Sequence, residues 1–138
     1  MANISQLTNY AQLASLNWIF TKNPMTGSNT RPTSWYLALS ITVPNTTGQL
    51  VTEPTGNGYG RQSISFTTPS GNPAIVYNTS LIQFTANGGN FGSVVYALIY
   101  DALTQGNCWA LGPLVNAKLI QNGDTLQFQP NAVSVVQQ

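Results

Sequence analysis

Hydrophobic residues near the start of the chain recur at intervals of three and four positions. The positions are Ile4, Leu7, Ala11, Ala14 and Trp18, and Leu16, Ile19 and Phe20 widen the same stripe. Polar residues such as Gln6, Asn9 and Gln12 fall on the opposite side. The pattern predicts one amphipathic helix within residues 1–22, with Asn3 or Ser5 as its N-cap and the Lys22–Gly27 segment as its end.

After Pro32 the pattern changes to short apolar or alternating segments separated by clusters of Gly, Asn, Pro and Asp. The candidate strands are residues 34–43, 59–68, 80–86, 93–101, 108–114, 117–121, 125–129 and 132–136. Short strands without intervening helices predict a mainly β fold, an antiparallel β-sandwich or jelly roll of about eight strands. We expect a single domain over residues 1–138, with the helix in 1–22 and the sandwich in 33–138.

Charged residues are unusually rare. They make up 5% of the 138 residues, against about 25% in an average soluble domain, and the formal net charge is +1. A neutral polar surface leaves little electrostatic repulsion between copies, so it suits close assembly. Four isolated basic residues provide no patch for nucleic acid or an anionic membrane, and no apolar run approaches bilayer-spanning length. We therefore expect neither nucleic acid nor a membrane as a partner.

The segment EPTGNGYGRQSISF, residues 53–66, places glycines at alternate positions before an arginine. A phosphate-binding loop of this kind needs a helix after it, or a Gly-Lys-Ser/Thr sequence. An alternating strand pattern follows instead, so the segment is predicted to be a flexible loop that leads into a sheet. Alternation puts Tyr59 and Arg61 on one face, where Arg61 can lie along the Tyr59 ring, reach Glu53 and anchor the loop.

Residues that carry catalysis are scarce. Histidine is absent, and the acidic residues are Glu53, Asp101 and Asp124, each in a predicted turn. Acid–base chemistry and metal binding usually need paired or clustered side chains, so we expect no enzyme activity, no catalytic residues, no metal and no cofactor. The single cysteine, Cys108, is predicted to be a buried apolar residue. The aromatic residues leave one alternative open, an exposed platform that stacks on sugars.

The order of motifs resembles a family of small tailed-bacteriophage virion structural proteins. The segments that carry the resemblance are LASLNWIF, PTSWYLALS, EPTGNGYGRQSISF, ALIYDALTQGNCWALGPL and NGDTLQF. Glu53, Tyr59 and Arg61 match the Glu-to-Tyr-x-Arg segment of that family. The family often has a histidine and an acidic residue after its Leu-Ala-Leu strand, where this chain has SITVPNTTG. A role carried by those two residues therefore does not transfer.

The resemblance implies a non-enzymatic virion protein made in the cytoplasm of the infected bacterium. The main expectation is a capsid cement or decoration protein that stabilises the assembled shell, and the alternative is a tail-fibre or receptor-binding module that recognises host glycans. The expected partners are further copies of the chain, in a homotrimer, and the major capsid protein or another virion protein. The helix stripe is wider than one small sandwich needs to cover an edge, so part of it is predicted to form an interface. The residues assigned to that interface are Ile4, Leu7, Trp18 and Phe20.

Overall fold

The computed structural model describes residues 2–20 and 32–136, which form ten strands and one helix. In chain order they are β1 (Ala2–Ile4), β2 (Gln6–Leu7), α1 (Asn9–Phe20), β3 (Trp35–Ser40), β4 (Gln62–Ile64), β5 (Ile75–Tyr77), β6 (Ile82–Thr85), β7 (Gly92–Tyr100), β8 (Cys108–Ile120), β9 (Thr125–Phe128) and β10 (Val133–Val136). The predicted mainly β class with an N-terminal helix is confirmed.

Eight of these strands form one large sheet in the order β4-β3-β7-β8-β1-β10-β5, with β2 also paired to β8. The sheet curls, so the chain after β4 meets the chain around β5, although these strands lie at opposite ends of the strand order. Phe66 and Asn78 form an isolated antiparallel bridge, and the Thr67 N–H donates to the Tyr77 carbonyl at 2.8 Å. Strands β6 and β9 form a separate two-stranded sheet.

The main core lies between the inner face of the large sheet and the β6–β9 pair. Alternate residues of β6 and β9 are buried, as expected for strands with one face on a core. They are Ile82, Phe84, Leu126 and Phe128, and they share one cluster with Leu37, Leu39 and Ile99 of the large sheet. Two β layers therefore enclose this core, as in a sandwich.

A second, smaller core lies on the opposite face of the large sheet. Ala38 of β3 and Leu98 of β7 belong to it, together with Tyr100, Cys108 and Leu111. Strands β3 and β7 are thus buried on both faces, which explains their continuous apolar sequences. Val51, from the loop between β3 and β4, packs against this second core.

Residues 2–7 form strands, so the prediction that the helix spans them is wrong. Ala2 and Ile4 are fully buried while Asn3 between them is exposed, which is the period of two of a strand. Strand β1 pairs in parallel with β10, where Asn3 lies opposite Ser134, and antiparallel with β8. The spacing of Ile4 and Leu7 also fits a helix, because periodicity cannot distinguish the two in so short an apolar run.

Thr8 is the N-cap of α1, in place of the predicted Asn3 or Ser5. Its Oγ1 accepts a hydrogen bond from the Ala11 N–H at 3.2 Å, which satisfies one of the unpaired donors of the first turn. The same hydroxyl donates to the Cys108 carbonyl at 2.6 Å and so ties the start of the helix to β8. The predicted helix end, residues 22–27, lies outside the described residues.

Two predicted strands, 108–114 and 117–121, are one long strand, β8. Pro113 does not end the strand because it lies opposite Tyr96 next to a shift in the β7–β8 register, where the ladder is already irregular.

Strand β5 was not predicted. It contains three residues and pairs with β10 alone among the strands, so little in its own sequence marks it.

Candidate functional site

Glu53, Tyr59 and Arg61 lie together beside the glycine-rich loop, and we call these three residues the loop clamp. The Tyr59 hydroxyl donates to Glu53 Oε1 at 2.7 Å. Arg61 Nε donates to the same oxygen at 3.1 Å, and Nη2 donates to Oε2 at 2.9 Å. The Arg61 side chain is only 7% exposed, so this two-pronged ion pair is largely shielded from water. It holds the two ends of the segment 53–61 together.

Arg61 also binds a second loop, residues 101–107. Its Nη1 donates to the carbonyls of Ala102 at 2.8 Å and Gln105 at 2.7 Å. The guanidinium carbon lies 3.7 Å from the centre of the Tyr100 ring. Stacking was predicted on Tyr59, and the structure places Tyr100 under the guanidinium instead. The clamp therefore joins two loops rather than one.

Tyr59 points into the main core, which explains why its ring does not stack on Arg61. The ring lies nearly parallel to Phe84, with centroids 6.0 Å apart, and edge-on to Phe91 at 5.6 Å. Its hydroxyl accepts a hydrogen bond from the Leu39 N–H at 3.0 Å and donates to Glu53. Burial raises the pKa of Tyr59 well above its ordinary value, so the hydroxyl stays protonated and keeps donating.

The other two acidic residues hold turns. Asp101 accepts hydrogen bonds from the Asn107 N–H at 2.8 Å and from Trp109 Nε1 at 3.1 Å. Asp124 accepts one from the Gln121 N–H at 2.9 Å. Within residues 2–20 and 32–136, no group of three or more His, Cys, Asp or Glu side chains is placed to hold a metal ion.

Cys108 is buried in the second core. Burial raises the pKa of its thiol to about 12. Its Sγ donates to the Ala110 carbonyl at 3.5 Å. A thiol with so high a pKa is protonated at neutral pH, and the nucleophile in cysteine chemistry is the thiolate. The residue therefore acts as a small apolar side chain of the core.

The helix turns its small residues inward and leaves its large apolar residues exposed. Ala11 and Ala14 are buried. We call the exposed set the apolar helix face: Leu13 at 63% exposure, Leu16 at 55%, Ile19 at 56% and Phe20 at 77%. At 3.6 residues per turn these four side chains fall within about a third of the helix circumference. They form one continuous apolar surface.

The four residues predicted for an interface are separated by the fold. Ile4 is fully buried in the core of this chain, so its assignment to an interface is corrected: as a residue of β1 it lies inside the sheet rather than on a helix surface. Leu7 is half-buried and packs against the same core. The side chain of Trp18 lies outside the described part of the structure. Phe20 belongs to the apolar helix face.

A groove of about 420 Å³ opens where β3 and β4 diverge, beyond the pairing of Trp35 with Ile64. We call it the edge groove. It is lined by those two residues and by Thr33, Ser34, Tyr36, Ser63, Ser65 and Phe66. The alternation of the β4 segment predicted that Ser63 and Ser65 share a face, but nothing in the sequence alone brought them beside residues 33–36, which lie far away along the chain.

Sequence reasoning missed Tyr100, Ala102 and Gln105 as partners of the clamp. The two carbonyl acceptors lie 41 and 44 positions beyond Arg61. No local pattern relates positions so far apart, and backbone carbonyls carry no signal of residue type. The pairing of β3 with β4 on one side and with β7 on the other brings this loop beside the clamp.

The family model described as "Podophage GP4 fiber I protein gp80" matches residues 6–136, from β2 to the end of β10. A comparison with curated proteins found no match. No helix in the described ranges has the length and apolar character that crossing a bilayer requires. The matched range contains the loop clamp, the apolar helix face and the edge groove, and the predicted kinship with phage structural proteins is confirmed. The chain belongs to the family of the podophage fibre protein gp80.

Proposed function

We propose that this chain is a non-enzymatic structural protein of a bacteriophage fibre and that it acts as a homo-oligomer within the virion. The family supports a fibre over the capsid shell, because its description names a fibre protein. Of the two functions expected from the sequence, capsid decoration and a tail-fibre module, the second is therefore the one we propose.

The apolar helix face carries the proposal of self-association. Four large apolar side chains stand exposed on one side of α1, although their burial would be favourable by about 25 cal/mol per Å² of apolar surface. The helix contains no charged residue. A second molecule can therefore cover this surface without removing any helix charge from water, which would be costly.

The occupant we propose is a second copy of this chain. A small groove of about 220 Å³ lies beside α1, and most of its lining is aliphatic, including Ile75, Val76, Val135 and Val136. The same molecule thus carries an apolar ridge and an apolar groove, both without charged residues. With 5% charged residues overall, copies of the chain repel one another only weakly.

The loop clamp has a structural role in this proposal. It fixes the loops 53–61 and 101–107 to each other through one guanidinium group. Loops held by a shielded ion pair lose less conformational freedom when a partner binds them than mobile loops do. The clamp therefore supports a rigid surface rather than a reaction.

We propose that the chain is not an enzyme because its acidic side chains have structural roles. Glu53 is held by the clamp, while Asp101 and Asp124 accept backbone hydrogen bonds in turns. Glycoside cleavage usually needs two carboxyl groups that flank one bond, about 5 to 9.5 Å apart, with different protonation states. The roles of these three side chains fit support of the fold.

Labelling of intact virions tests the proposed location. Antibody raised against the purified chain is conjugated to gold and applied to particles of the phage that encodes it, and label on fibres is expected. Label distributed over the shell would overturn the fibre proposal in favour of capsid decoration.

The mass of the purified protein in sedimentation velocity tests the proposed stoichiometry, a homotrimer. A monomer at micromolar concentration would contradict self-association.

A further inference from the structure

We propose that the edge groove binds a neutral saccharide. The proposal rests on the proposed fibre function, since it assigns to that fibre a ligand class and a binding site. It depends on residues that take no part in the loop clamp or the apolar helix face.

Hydroxyl groups dominate the polar lining of the groove. Five side chains carry them: Thr33, Ser34, Tyr36, Ser63 and Ser65. Within residues 2–20 and 32–136, none of these hydroxyls has a hydrogen-bond partner in the chain. Each can therefore donate to or accept from a ligand without first breaking an internal bond.

Aromatic side chains line the same groove. Trp35, Tyr36 and Phe66 are all half-buried. Trp35 and Phe66 also pack against the main core, whereas Tyr36 lies opposite the exposed Ser63 in the β3–β4 pair and so shares a face with it. Trp35 is held edge-on against Trp109, with ring centroids 5.3 Å apart. An aromatic ring offers an apolar surface to the C–H face of a sugar, and neighbouring hydroxyls match the sugar's own hydroxyl groups.

The charge of the groove disfavours anionic ligands, and its size suits a small ligand. No charged residue lines it, so it offers nothing to balance a phosphate, a carboxylate or a nucleic-acid backbone. The alternating hydroxyls interrupt its apolar surface, which disfavours a lipid chain. Its volume of about 420 Å³ falls within the range of about 300 to 1,000 Å³ that is typical of small-ligand sites. Two other grooves of the molecule, of about 240 and 220 Å³, are smaller than that range.

The test uses four monosaccharides as probes: D-glucose, D-galactose, L-rhamnose and N-acetyl-D-glucosamine. Each is titrated to about 100 mM into isotopically labelled protein while backbone amide signals are followed by NMR, because one small ring is expected to bind with a millimolar Kd. At least one sugar should shift the signals of residues 33–36 and 63–66 in a saturable way. Absence of saturable shifts with all four, or shifts confined to other residues, would overturn the proposal.

A matched pair of variants ties the binding to the groove hydroxyls. The groove variant combines Tyr36→Phe, Ser63→Ala and Ser65→Ala, and the control combines Tyr77→Phe, Ser80→Ala and Ser93→Ala, which lie outside the groove. The groove variant should raise the Kd at least about tenfold because it loses up to three hydrogen bonds, while the control should bind as the unaltered protein does. Equal binding by both variants would count against the groove.

Sedimentation of the same groove variant separates this proposal from the fibre function. The variant should keep the oligomeric state of the unaltered protein, since its substitutions leave the apolar helix face intact. Lost or absent sugar binding with intact oligomers therefore bears on the groove alone. A monomeric unaltered protein would contradict the proposed function whatever the sugar result.

Discussion

Arg61 donates hydrogen bonds to both carboxylate oxygens of Glu53, eight positions earlier across a glycine-rich loop. The Nε–Oε1 and Nη2–Oε2 distances are 3.1 and 2.9 Å. The arginine side chain is 7% exposed and the glutamate side chain 25%. Removal of one partner from a shielded pair leaves the other charge without compensation in a poorly hydrated place. The pair is consequently more sensitive to truncation than an ion pair on the open surface.

Replacement of Arg61 by alanine should lower the free energy of unfolding by about 2 to 4 kcal/mol, because Glu53 loses its charged partner and two loop carbonyls lose their donor. Urea denaturation followed by circular dichroism measures the change. Lys118→Ala is the control, since it removes an exposed positive charge and should change stability by less than about 0.5 kcal/mol. If the two variants were equally stable, the clamp would contribute nothing to the fold.

Gly112→Ala should destabilise the protein by about 2 kcal/mol or more, through a clash with β1. A Cβ atom at position 112 would meet the Asn3 carbonyl oxygen and lie 2.7 Å from the Ile4 Cα, both backbone atoms that cannot move aside alone. Gly60→Ala is the control, because its added Cβ meets nothing within 4 Å. Thermal melting compares the two, and a Gly112 variant as stable as the Gly60 variant would rule out this close packing of β1 on β8.

Leu13→Gln combined with Leu16→Gln should convert the oligomer to a monomer while leaving the far-ultraviolet circular dichroism spectrum unchanged. Glutamine keeps a high helix propensity but removes the apolar surface that we propose to be covered by a second copy. Sedimentation velocity reads the mass. The matched control is Leu81→Gln with Leu103→Gln, two leucines of 44% and 55% exposure outside the helix, and it should remain oligomeric. Dissociation of both variants alike would remove the helix face from the interface.

Alkaline pH should destabilise the fold from about pH 9 upward. Burial raises the pKa of Cys108 from 9.0 to about 12, and burial is also the main cause that raises the pKa of Tyr100 from 10.0 to about 12. In this window the folded chain holds protons that the unfolded chain releases, so stability falls as pH rises; below pH 9 both states are protonated and the contribution is fully present.

Urea midpoints measured from pH 8 to pH 12 test this expectation. Cys108→Ala should reduce the fall of the urea midpoint between pH 9 and pH 10. In the unfolded chain the thiol, with an ordinary pKa of 9.0, releases its proton at lower pH than a tyrosine, with an ordinary pKa of 10.0. A midpoint that is constant up to pH 12 would show that neither group is buried in solution.

Local patterns in the sequence were sufficient to predict which residues are buried in strands that expose one face. The alternation in β6 and β9 correctly separates buried from exposed residues, because a strand's side chains alternate whatever its partners are. The alternation of Tyr59 with Arg61, and the nearby Glu53, similarly placed the clamp residues within reach of one another. The kinship with phage structural proteins also followed from the sequence, since it rests on short motifs in a fixed order.

Contacts between distant parts of the chain determined the structure of the N-terminal segment and the orientation of the helix. Strand β1 lies between β8 and β10, so its hydrogen-bond partners are more than 100 positions away, and Ile4 looked like a helix residue from its neighbours alone. Which side of α1 faces inward was equally beyond the sequence. Both sides of the helix lack charge, and the alanine side lies inward because small residues allow a close approach to the sheet, whereas Leu13, Leu16, Ile19 and Phe20 are left for another surface.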